Sequence, residues 1–143
     1  MHVCPTAPVC LSLRPCPPAA RVSSRADGAP ALERLSLKGC VQLSDAAIEA
    51  LAAGCSGLRT LSLNKIPALS DAALIALRTH CAPTLESLDI SWCRGVTDHG
   101  VGALVDASEQ LEQLSVWGCT QLTRRFYDGH SRDALRIVGR SFC

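Results

Sequence analysis

The sequence predicts an α/β solenoid of about four repeats, with short parallel strands on a concave side and helices on a convex side. Three observations point to it. A leucine pattern restarts at Leu32, Leu58, Leu85 and Leu111, at spacings of 26, 27 and 26 residues. Each copy holds Leu-x-Leu, or a conservative variant of it, and alternation at period two marks a short half-buried strand. In the first three copies Ser or Thr then precedes Asp, and apolar residues follow three and four apart, as in a capped helix.

Residues 1–31 hold six of the eight prolines and three cysteines, with no helical or strand period. Proline at this density blocks helices and interior strands, so the segment is read as a disordered Pro-rich leader. Pro5, Pro8, Arg14 and Pro15 interrupt its apolar stretch, which argues against a secretory signal. A transit peptide and the arbitrary start of a truncated product are the alternatives.

Residues 32–122 are the repeat domain. Leu32-Glu-Arg-Leu35-Ser-Leu37-Lys-Gly-Cys40 opens the first unit, and Leu58-Arg-Thr-Leu61-Ser-Leu63-Asn-Lys-Ile66 the second. Leu85-Glu-Ser-Leu88-Asp-Ile90-Ser-Trp-Cys93 and Leu111-Glu-Gln-Leu114-Ser-Val116-Trp-Gly-Cys119 open the third and fourth. Ser44, Ser70 and Thr97 stand where a helix N-cap belongs, and the Asp after each suits the positive end of the helix dipole. Ile48 and Leu51 recur as Leu74 and Leu77, then as Val101 and Leu104. Cys55, Cys81 and Ser108 close the helices, and Gly54 and Gly57 stop the first one. Such a unit buries its apolar face only by stacking on its neighbours. Residues 123–143 break the repeat and are read as a C-terminal capping tail, with Phe126, Leu135, Ile137 and Val138 covering the last unit.

The chain has 143 residues, nine cysteines, 3% aromatic residues and a net charge of +1. That length suits one domain. Scarce aromatics exclude a base-stacking platform, and near-neutral charge argues against a dedicated polyanion binder. The charge is uneven, at +2 over residues 1–31, −4 over 32–119 and +3 over 120–143. No apolar run is long enough for a transmembrane helix. An odd cysteine count without a C-x-x-C pair favours buried free thiols in a reducing compartment, the cytoplasm or nucleus.

The pattern Leu-x-x-Leu-x-Leu-x-x-Cys, followed by an apolar residue, Ser or Thr with Asp, and a second Cys closing the helix, resembles the cysteine-containing leucine-rich repeat. The resemblance covers about residues 32–126, with departures at Ile66 and Ser108, where that family often places Cys. The family is typified by F-box proteins. The resemblance implies substrate recognition for an SCF-type (Skp–cullin–F-box) ubiquitin ligase, and so a part in ubiquitin-dependent protein degradation. The Pro-rich first residues do not supply an F-box, so Skp or cullin subunits would be reached through another chain or region. The tail is similar to the C-terminus of the leucine-rich-repeat subunit of yeast nucleotide-excision repair. That resemblance implies the alternative: a nuclear repair subunit with ubiquitin-ligase partners. Its basic tail would contact DNA or a partner.

Strand parity points one face of each repeat away from the core. The candidate partner-binding residues there are Arg34, Lys38, Asn64, Asp89, Ser91, Gln113 and Trp117. Trp92 lies beside them at a strand exit, where packing against the next turn is the other reading. Trp117 is the residue most like an interface hot spot. Four strands give a face only about 14 Å wide. An ordinary interface needs about 800 Å² per partner, so the chain is expected to bind weakly or to work within something larger.

No catalytic, cofactor or metal site is expected. Cys40, Cys93 and Cys119 recur at one repeat position, and Cys55 and Cys81 at another. Stacking sets equivalent residues about 4.8 Å apart in a line, whereas zinc needs ligands about 2.3 Å from one point. Asp45, Asp71 and Asp98 share one phase and mark helix starts rather than an acid–base pair. His2, His80, His99 and His130 fall in no metal-binding or catalytic motif. Gly100-Val101-Gly102 lacks the third glycine of a dinucleotide fingerprint. The expected partner is a protein on the concave face, with no membrane and with nucleic acid, if anywhere, at the basic tail.

Overall fold

The structure is a computed structural model that describes residues 9–12, 32–130 and 132–139. Six parallel strands lie in chain order in one sheet. They are β1 (Val9–Ser12), β2 (Leu32–Ser36), β3 (Thr60–Ser62), β4 (Ser87–Asp89), β5 (Gln113–Ser115) and β6 (Arg136–Val138). From β2 onward they alternate with α1 (Asp45–Gly54), α2 (Asp71–His80), α3 (Asp98–Ala107) and α4 (Arg124–Gly129). This is the solenoid that the repeat predicts.

The leucine columns explain the register. Leu35, Leu61, Leu88, Leu114 and Ile137 pair in sequence across neighbouring strands. The first four are buried, as are Leu37, Leu63, Ile90 and Val116 one alternation later. The helices add Ile48 and Leu51, Leu74 and Leu77, and Val101 and Leu104 to the same core. The expected caps are present. Ser44, Ser70, Thr97 and Thr123 accept from the amides of Ala47, Ala72, His99 and Arg125. Each such cap contributes about 1 kcal/mol.

Both ends extend the sheet beyond the four expected strands. Val9–Ser12 fits between Pro8 and Pro15 and pairs parallel with β2. The rest of the expected leader lies outside the described residues. At the other end, the chain does not leave the repeat at residue 123. α4 and β6 continue it, and Phe126, Tyr127 and Leu135 are buried against the core. Arg132 ties this end down. Its guanidinium donates to the carbonyls of Ser108 and Glu109 just beyond α3, groups that a helix end leaves without intrahelical partners. Six strands span about 24 Å, wider than the four-strand expectation.

Candidate functional site

Side-chain ties run from each repeat to the next and hold the stacked units in place. Asp45 accepts from the Ser70 amide at 2.9 Å and from the Ser70 hydroxyl at 2.5 Å. Asp71 accepts from the Thr97 amide at 2.7 Å and hydroxyl at 2.5 Å. Asp98 does the same for Thr123. Each aspartate therefore clips the N-cap of the following helix, beyond marking its own helix start. Gly100 follows from this: a Cβ there would overlap the Asp71 carboxylate. Glycine at that position serves close packing, not a nucleotide.

Thiols make a second set of ties. Cys93 donates to the Leu63 carbonyl at 3.1 Å, Cys119 to the Ile90 carbonyl at 3.1 Å, and Cys81 to the Cys55 carbonyl at 3.5 Å. Cys40, Cys55, Cys81, Cys93 and Cys119 are all buried. Burial pushes the thiols of Cys81, Cys93 and Cys119 up to about 11 and also raises that of Cys55. A thiol held protonated at neutral pH is a poor nucleophile and a poor metal ligand. Among the described residues, no three His, Cys, Asp or Glu side chains group as metal ligands would.

At the C-terminal ends of the strands, one turn stacks on the next. Gly39, Lys65, Trp92 and Gly118 occupy one repeat position, with φ of 76°, 61°, 64° and 68°. Their amides extend the ladder: Gly39 donates to Asn64 at 2.8 Å, Lys65 to Ser91 at 2.9 Å and Trp92 to Trp117 at 2.5 Å. A side chain in this left-handed region costs about 1–2 kcal/mol, which the ladder must offset at Lys65 and Trp92. The Trp92 ring lies over Gly118, where a Cβ would collide with it, and Trp117 lies against Gly139. Both indoles remain about half exposed, at 49% and 53%. Trp92 thus packs on the next turn and still presents a face to solvent.

The other candidates divide. Arg34, Lys38 and Gln113 are exposed, as parity predicts. Asn64 and Asp89 are half-buried and bonded to each other, Nδ2 to Oδ2 at 3.3 Å. Ser91 is a correction: it is 3% exposed and does not offer its side chain to a partner. Trp117 holds the same repeat position and is exposed; Ser91 differs because its short side chain bonds to the next turn instead of projecting past it. Asp89 Oδ1 accepts from the Ser91 amide at 2.9 Å, and Ser91 Oγ accepts from the Trp117 amide at 3.2 Å. Ser91 therefore helps to fix Trp117. The sequence reading missed Arg59, whose guanidinium reaches Glu33 at 3.8 Å and Glu86 at 2.5 Å at the opposite edge of the sheet. Opposite charges at one repeat phase were the available signal.

A family model described as leucine-rich repeat matches residues 81–105. A search of curated proteins finds no match. Among solved structures, the chain is similar to one in the crystal structure of the Rad7 and Elc1 complex in yeast, with a TM-score of 0.73 and 28% identity. The match covers 85% of the present chain and 30% of that one, so the present chain spans under a third of its length. The chain is a leucine-rich-repeat solenoid, a fold that suits protein interaction. No helix among the described residues is long and apolar enough to cross a membrane.

Proposed function

We propose that the chain recognises protein substrates for an SCF-type ubiquitin ligase, with Skp or cullin subunits reached through another chain or region. The observation that carries recognition is Trp117: a half-exposed indole fixed by its backbone bond to Ser91 and by its seat on Gly139. Rigid, partly exposed aromatics are frequent binding hot spots. The ligase assignment rests on the cysteine-containing repeat pattern. We propose no catalytic role, since the recurring thiols are buried and the recurring aspartates are engaged in the clips. A cytoplasmic or nuclear location is part of the same proposal.

A second reading is favoured by the likeness to a chain of the Rad7 and Elc1 complex. Under it, the chain is a nuclear nucleotide-excision-repair subunit. Arg124, Arg125 and Arg136 are exposed at its tail, while Arg132 is held by backbone carbonyls.

Affinity purification with the whole chain, against a Trp117→Ala control matched in thermal stability, separates the two. Skp or cullin subunits, together with substrates lost in the control, support the first reading. Repair factors in their place support the second. Recovery of the same proteins by both baits overturns recognition through Trp117.

A further inference from the structure

We infer that the turn edge of the sheet binds an acidic, extended segment of a protein partner and seats one of its apolar side chains against Trp92 and Trp117. This rests on the reading of the chain as a protein-interaction module and names the chemistry of its partner.

The edge consists of the stacked turns 38–42, 64–68, 91–95 and 117–121, which contain Lys38, Lys65 and Arg94 and no acidic residue. All three cations are exposed. Of the four exposed large hydrophobic residues among those described, Val41, Trp92 and Trp117 lie on this edge, and only Ile75 lies elsewhere. Apolar surface and positive charge therefore coincide; Asp89, the carboxylate bonded into these turns, is half-buried and engaged by Asn64 and the Ser91 amide. The ladder bonds fix their order: Lys65 is one rung from Trp92, and Trp92 one rung from Gly118, which follows Trp117. Rungs are about 4.8 Å apart, so an extended peptide crossing them meets a cation and an indole within two or three of its residues.

The opposite edge has the other polarity. Glu33, Glu86 and Glu112 share its repeat position with Arg59, which pairs with the first two. An acidic ligand is thus repelled from the strand starts and drawn to the turns. Nucleic acid is disfavoured because its phosphates would find only the three edge cations there. Nucleic-acid affinity depends on many such phosphate contacts.

The test is fluorescence anisotropy with the whole chain and short labelled probes. One is a Glu/Asp-rich peptide with a central Leu, the second its Gln/Asn counterpart, the third the acidic peptide with Ala for Leu, and the fourth single-stranded DNA of equal charge. The acidic Leu peptide should bind most tightly and weaken as salt is added. Lys65→Glu with Arg94→Glu, both exposed changes, should weaken it about tenfold, and Trp92→Ala or Trp117→Ala similarly. No binding of the acidic Leu peptide, equal binding of its neutral counterpart, or tighter binding of DNA overturns the inference. If the Lys65→Glu/Arg94→Glu bait also keeps every partner that Trp117→Ala loses, the inference fails while recognition through Trp117 stands.

Discussion

Ser108 occupies the repeat position held by Cys55 and Cys81, and replacing it with Cys should stabilise the protein. The residue is 0% exposed, and its hydroxyl has no hydrogen-bond partner. An unsatisfied buried polar group costs about 1–3 kcal/mol. Cysteine is tolerant here: Cys81, equally buried, needs only long contacts of 3.5 and 3.7 Å to the Cys55 and Ala52 carbonyls. A thiol behaves as a small hydrophobe with a weak donor, so most of the penalty should vanish. The expected gain is about 1–2 kcal/mol. At this chain length each kcal/mol moves the melting temperature by about 2–4 °C. Ser108→Ala removes the hydroxyl but leaves a small void, so it should be neutral or gain up to about 1 kcal/mol. Urea melts followed by circular dichroism measure both. A loss of more than about 1 kcal/mol in Ser108→Ala would show that the hydroxyl is bonded and would refute the reasoning.

Two further outcomes follow from the ties between repeats. Cys81, Cys93 and Cys119 titrate near 11 in the folded protein, against an ordinary value of 9.0, so the folded state keeps protons that the unfolded chain releases. Stability should be full below pH 9 and fall between pH 9 and 11, by about 1.4 kcal/mol per pH unit for each thiol. A urea midpoint unchanged between pH 8 and 10 counts against this, and Cys93→Ala should shrink the drop. Asp71→Ala removes the acceptor of two short bonds from Thr97 and should cost about 2–4 kcal/mol in the same melts. Asp71→Asn, which keeps one carbonyl oxygen, should cost less; equal losses would mean that the charge and not the bonding geometry matters.

The repeat was legible because it is periodic. Leu35, Leu61, Leu88 and Leu114 reveal the strands, and Ser44, Ser70 and Thr97 the helix starts, with no need of a third dimension. The clips were not, since Asp45, Asp71 and Asp98 already had a local explanation in the dipoles of their own helices. Their constant distance from the next cap was the overlooked signal. The first strand was hidden by proline, yet Leu11-Ser12-Leu13-Arg14-Pro15-Cys16 parallels Leu35-Ser36-Leu37-Lys38-Gly39-Cys40. The last was hidden by a change of period: α4 has 6 residues where its predecessors have 10, so Ile137 reaches Leu114 early. On the candidate surface, parity was right for Arg34, Gln113 and Trp117 within or just beyond regular strands. It failed at Ser91, whose small side chain is taken up by the Trp117 amide of the next turn.

The aspartate clips make neighbouring repeats interchangeable parts. Each asks only that the next unit begin with a hydroxyl-bearing cap. Excising residues 58–84 would bring Leu85 to the place of Leu58 and Thr97 to that of Ser70, where Asp45 could hold it as it holds the serine. The Arg59 bridge, the Asn64–Asp89 bond and the Thr84 hydroxyl bonds would be lost, and Glu33 would stand beside Glu86, a surface repulsion of roughly 1 kcal/mol or less. A gene encoding such a chain can lengthen or shorten by whole units without redesigning a junction. The length of the recognition surface is then free to vary independently of the stability of each joint.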